Sequence, residues 1–163
     1  MNKKTIITII IVVVLVGGGI FVGANWNHWF GEETPTADVD DNAKDWEGEK
    51  ETYSGKKNTD TIDIPGFDIM NLKANETVQS VNLHNPAANS CYFKMTLYTP
   101  DGVKLWESKL IEPGKGVYDI TLNQKLEAGS YENAKLKYEC FSMDKDQTPL
   151  NGAEIKLTLN VME

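Results

Sequence analysis

The chain has 163 residues, 40% of them hydrophobic, and a formal net charge of −8. That length accommodates one ordinary domain plus an appendage. Acids outnumber bases and no basic stripe with interleaved aromatics occurs, so a phosphate backbone would be repelled and nucleic acid is not an expected partner.

Residues 5–24, TIITIIIVVVLVGGGIFVGA, carry no charge and match the roughly twenty residues that a hydrocarbon core of about 30 Å requires of a helix. Lys3 and Lys4 precede this run, and Trp26, Trp29 and Phe30 follow it. Lysines hold their end in the cytoplasm and tryptophans suit the opposite interface. The expected topology has the N-terminus inside and everything after Trp26 outside. Val22-Gly23-Ala24 also offers the small residues of a signal-peptidase site, so cleavage after Ala24 is the alternative to a retained anchor. Both readings place the rest of the chain outside the cytoplasm, tethered in one case and secreted in the other.

Residues 31–60 hold ten acids against four lysines, a balance of −6, with few aliphatics. Such a segment buries too little apolar surface to offset its chain entropy. It is expected to be a disordered, extended stalk. The organisation is thus 1–30 cytoplasmic lysines and anchor, 31–60 acidic stalk, and 61–163 a folded domain.

From residue 61 onward, period-two segments alternate with turn residues every eight to twelve positions, which indicates an antiparallel β-sandwich. Strands are expected at 61–64 (continuing irregularly to 72), 77–83, 91–98, 103–110, 117–122, 131–142 and 153–161. The last is the cleanest, with Ala153, Ile155, Leu157, Leu159 and Val161 alternating with polar residues. Between the third and fourth strands, Thr99-Pro100-Asp101-Gly102 suits a tight turn. Pairing Thr99 with Gly102 sets Met95 opposite Trp106 inside and Lys94 opposite Glu107 outside, a favourable cross-strand pattern. A one-residue slip would turn lysine into the core.

The segment Leu126-Glu127-Ala128-Gly129-Ser130-Tyr131 resembles the turn entering the sixth strand of immunoglobulin-like and fibronectin type III-like domains. There, a tyrosine near the strand start hydrogen-bonds back across the corner. The resemblance spans about a hundred residues and implies a seven-stranded antiparallel immunoglobulin-like sandwich, and no activity. The chain as a whole also resembles small anchored surface proteins of Gram-positive bacteria.

Cys91 and Cys140 are the only cysteines. An even count in an oxidising compartment favours a disulfide. In such a sandwich the third and sixth strands are antiparallel neighbours, and the start of one meets the end of the other. A Cys91–Cys140 bridge would therefore lie within one sheet, the alternative being two buried thiols. Copper needs more ligands than His84, Cys140 and Met143 supply for a redox site, and no cofactor is expected. Asp144 and Asp146 offer a weak calcium candidate, since the glycine and bidentate glutamate of an EF-hand loop are missing. No nucleophile–base pair, phosphate loop or histidine pair is evident, so an enzyme is not expected.

The expected function is a membrane-tethered, extracytoplasmic recognition module binding a protein or a glycan. Tyr92, Tyr98 and Phe141, outward by strand parity, are the candidate contact surface. The alternative is a structural subunit of an envelope assembly serving secretion, conjugation or division. An outward aromatic patch would favour the first reading, and an open edge strand the second.

Overall fold

The structure is a computed structural model that describes residues 36–48 and 57–163. The apolar segment 5–24 and its flanks, with residues 31–35 and 49–56 of the acidic stretch, lie outside the described residues. Among the described residues, no helix is long and apolar enough to cross a membrane.

The strands in order are β1 (Lys44–Asp45), β2 (Ile69–Lys73), β3 (Val78–His84), β4 (Cys91–Tyr98), β5 (Lys104–Glu107), β6 (Lys115–Thr121), β7 (Gly129–Ser142) and β8 (Pro149–Met162). They form two sheets, a three-stranded β1-β6-β3 and a five-stranded β2-β8-β7-β4-β5. The described fold is all-β, as the period-two pattern predicts, and its two sheets are compatible with a sandwich. Both contribute to one core: Phe93, Met95, Leu97, Leu136, Tyr138, Leu157 and Leu159 from the larger sheet, Leu83, Val117 and Ile120 from the smaller. Phe93 meets Tyr138 edge-on at 5.4 Å between ring centroids, the preferred aromatic geometry. Burial raises the Tyr138 phenol pKa, and its hydroxyl donates to the Pro65 carbonyl at 3.4 Å.

Three expectations need correction. The first strand does not form at 61–64: those residues are irregular, with Ile62 and Ile64 half-buried against the core, and pairing begins at Ile69. The sheets are not wholly antiparallel, because β2 runs parallel to β8, with Met70 opposite Leu159 and Leu72 opposite Val161. Among the described residues the strand count also rises from seven to eight, because part of the acidic stretch adds a strand.

That addition is the largest departure. The compact unit begins at Thr36, not at 61. Within residues 36–48, Lys44 pairs with Gly116 and Asp45 with Lys115 on the edge of the smaller sheet, while Val39 bridges Leu110 in the connection before β6. The amide of Asp40 donates to the Leu110 carbonyl at 2.8 Å, that of Leu110 to Asp38 at 3.1 Å, and that of Trp46 to Gly114 at 3.0 Å. Asp40 is buried, its two carboxylate oxygens accepting from the amides of Lys109 at 2.9 Å and Asn42 at 3.0 Å. Main-chain pairing needs no apolar pattern, so a polar segment can gain order through backbone groups and a few anchors.

The β4–β5 hairpin forms in a register two residues from the expected one. Leu97, not Met95, faces Trp106, and Thr96 faces Glu107. The turn explains half of the shift. Gly102 adopts φ +88°, the left-handed residue that closes a three-residue loop, so Thr99 pairs with Val103 rather than Gly102. A bulge between Leu97 and Tyr98 supplies the second residue and buries both Leu105 and Trp106. A slip of two preserves facing. Trp106 therefore stays in the core, and Lys94 still reaches Glu107 at 3.3 Å, on a diagonal.

Candidate docking face at the β7–β8 hairpin

The two longest strands, β7 and β8, are joined by a turn built from polar side chains. One oxygen of Asp144 accepts from the Ser142 hydroxyl at 2.7 Å and from the amides of Asp146 at 3.1 Å and Gln147 at 3.0 Å. The Ser142 hydroxyl in turn accepts from the Thr148 amide at 2.8 Å. Asp144 is thus occupied in shaping the turn, and among the described residues no group of three His, Cys, Asp or Glu side chains is arranged to hold a metal ion. The geometry lends the calcium candidate Asp144/Asp146 no support.

Just inside the turn, Cys140 pairs with Leu150 but Tyr138 with Ala153, so Asn151 and Gly152 together oppose Glu139 in a β-bulge. Gly152 is required there: a Cβ would come within 2.1 Å of the Tyr138 carbonyl oxygen. The bulge re-aims Leu150, which is 43% exposed although it pairs with a core residue.

On the outer face of the same strands, Tyr92 pairs with Phe141 and Phe141 with Pro149, so three apolar residues form a row across β4, β7 and β8. Met143, 45% exposed, follows Phe141 by two positions. Two clefts of about 400 Å³ flank the bulge and share Leu150 and Gly152. One is lined by Tyr138, Phe141, Pro149 and Ala153, the other by Thr61, Ile62, Ile64 and Cys91.

The three sequence-predicted contact aromatics divide. Tyr92 and Phe141 are neighbours, but Tyr92, expected outward and exposed, is 9% exposed. Tyr98 pairs with Lys135, six positions further along β4 and therefore about 20 Å away. Between them runs a charged belt: Lys94–Glu107 at 3.3 Å, Lys137–Glu139 at 3.1 Å and Lys135–Glu154 at 3.2 Å. Tyr98 does not belong to the hairpin face.

The cysteines come together beneath that face. Cys91 pairs with Ser142 and Phe93 with Cys140, so Cys91 and Cys140 lie on one diagonal of adjacent antiparallel strands and both side chains enter the core. Both are buried thiols. A hydrogen bond from Cys140 lowers the Cys91 pKa against the opposing effect of burial, while that bond and burial together raise the pKa of Cys140. Asn85, with no exposed surface, fixes the strand beside them, its amide donating to the carbonyls of Cys91 at 2.8 Å and Ile111 at 2.9 Å. Asn89 donates to the Asn85 side-chain oxygen at 2.9 Å and brackets Asp63 through both its N–H and C=O. Sequence reasoning missed this pair because His84-Asn85-Pro86 reads only as a turn.

A larger cleft, about 470 Å³, opens where β5 approaches β6. Its lining includes Asp40, Trp106, Glu107, Asp119 and Asn123. Two of its three carboxylates are engaged locally, Glu107 with two lysines and Asp40 with two amides.

No protein-family model matches the chain, and no curated protein matches it.

Proposed function

We propose that this chain is a non-catalytic recognition module held outside the cytoplasm by its apolar segment 5–24, and that it captures a protein partner on the β7–β8 hairpin face. The observation that carries this reading is the Tyr92–Phe141–Pro149 row, extended by the half-exposed Met143 and Leu150. Apolar groups grouped at one exposed end of a sheet are typical of contact surfaces. A protein is proposed rather than a glycan because Tyr92 offers little open ring face and Tyr98 stands apart, leaving no aromatic platform for a sugar. An immunoglobulin-like class is supported by two features. The order β8-β7-β4 faces β3 and β6, and the Tyr131 hydroxyl donates back to the Glu127 carbonyl at 3.1 Å.

Photo-crosslinking in intact membranes tests the proposal. A photoreactive residue at Phe141 or Leu150 is expected to capture a partner polypeptide, and one at Tyr98 is not. Capture from Tyr98 alone, or from none of the three, would overturn it. A C-terminal tag should be digested by protease added outside intact cells or protoplasts, and its full protection would remove the compartment.

A second reading, a structural subunit of an envelope assembly, is favoured by β1. The edge of β6 already accepts an added strand through main-chain hydrogen bonds, the contact by which such subunits join.

A further inference from the structure

We propose that Cys91 and Cys140 are a dithiol couple that closes to a reversible disulfide within the folded sheet. The diagonal placement carries the proposal. Residues two positions off a direct antiparallel pair have Cα atoms about 7–8 Å apart and Cβ atoms somewhat closer when they share a face. That lies just beyond the spacing disulfides usually span, so closure needs the backbone of one strand to shift but no refolding. Both side chains are buried in the same core.

Each thiol lines one of the two clefts beside the bulge, Cys91 with Ile62 and Ile64, Cys140 with Tyr138 and Phe141, so a small disulfide can approach either. The first thiolate attacks one sulfur of a disulfide R–S–S–R, forming a mixed disulfide and releasing one RS⁻, which takes up the proton that thiol has lost. The second thiol, losing its proton, then attacks the first protein sulfur and expels the second RS⁻, which leaves as RSH. Two protein thiols are oxidised by two electrons and one external disulfide is reduced to two thiols.

Because Tyr92 follows Cys91 and Phe141 follows Cys140, closure ties together the two strand positions that carry the apolar row. The chemistry itself depends neither on that face nor on the compartment, so it is tested on purified protein. The full chain, reduced and freed of reductant in detergent, is incubated while folded with oxidised glutathione, capped with N-ethylmaleimide and digested without reduction. The expected product is a monomer lighter by two hydrogens, with one peptide pair linking Cys91 to Cys140, and dithiothreitol restores both thiols. Cys140→Ser is expected to retain glutathione on Cys91, and Cys91→Ser to retain it on Cys140. Glutathione persisting on the wild-type chain, both thiols remaining free, or a bond that forms only in denaturant or resists dithiothreitol would each overturn the proposal.

Discussion

The indole of Trp46 stacks on the imidazole of His84, with ring centroids 3.7 Å apart and planes 9° from parallel. The stack depends on Gly116, where a Cβ would lie 3.1 Å from the indole and equally close to the Leu83 carbonyl. The indole N–H also donates to Asn82 at 2.9 Å, and the next amide, Glu47, to the Tyr118 hydroxyl at 2.7 Å. Trp46 is therefore the anchor of the 36–48 segment. Trp46→Ala should loosen the segment without unfolding the sandwich. Hydrogen exchange should quicken at the amides of Asp40, Trp46 and Leu110, which bond across the junction, and stay unchanged at Leu136 in β7. Unchanged exchange at all four would mean that main-chain pairing alone holds the segment.

This segment marks the limit of what the sequence discloses. Strand β4 was legible to the residue, because Cys91, Phe93, Met95 and Leu97 stand at alternate positions between turn signals, and the alternation in β8 gave its core face directly. Residues 36–48 have no such signature, since their order comes from backbone hydrogen bonds and from acids meeting Lys109, before β6, and Lys115, at its start, far along the sequence. The hairpin register escaped for a related reason. The facing of Trp106 follows from parity, but its partner depends on whether Gly102 is paired or looped out, and composition does not distinguish those. At the candidate face, Phe141 was legible by parity, whereas the exposure of Leu150 depends on a bulge whose only sequence trace is Gly152.

The shifted register leads to a stability comparison. Trp106 is 9% exposed and opposite Leu97, so Trp106→Ala should cost about 3–5 kcal/mol, the range for emptying a large aromatic site. Tyr98, half-buried at the charged end of β4, should cost well under half of that on truncation to alanine. Denaturant midpoints of the two variants measure the difference. Equal costs would place Trp106 outside the core.

Glu107 offers a pH test. Burial alone would raise its carboxyl pKa, but hydrogen bonds and charge from Lys94 and Lys104 outweigh this and hold it below its ordinary value of 4.5. A carboxyl pKa lowered by folding adds stability above its unfolded pKa and loses it as pH falls through the folded one. Glu107→Gln should therefore cost about 0.5 kcal/mol near neutrality, the modest scale of a solvent-screened ion pair. The gap between variant and wild type should shrink below about pH 4.5 and also in high salt. A gap that widened on acidification would reverse the sign assigned to the two lysines.

The last prediction concerns the bulge that shapes the candidate face. A Cβ at Gly152 would meet the Tyr138 carbonyl oxygen at 2.1 Å, and a backbone atom held in a β7–β8 ladder cannot move aside cheaply. Gly152→Ala should therefore cost about 2 kcal/mol or more, as overpacking does. Gly66→Ala is the matched control, because a Cβ there has nothing within 4 Å, and it should change stability by no more than about 0.5 kcal/mol. The two variants also separate stability from recognition. Relieving the clash requires β8 to shift at Asn151 and Gly152, which moves Leu150 and Pro149 relative to Phe141. Under conditions where the Gly152→Ala domain is still folded, crosslinking from Phe141 should fall, while the Gly66→Ala chain crosslinks like wild type. If Gly152→Ala is as stable as the control, β8 can re-pair without the bulge. Crosslinking that then persisted undiminished would show that the partner does not read the position of Leu150.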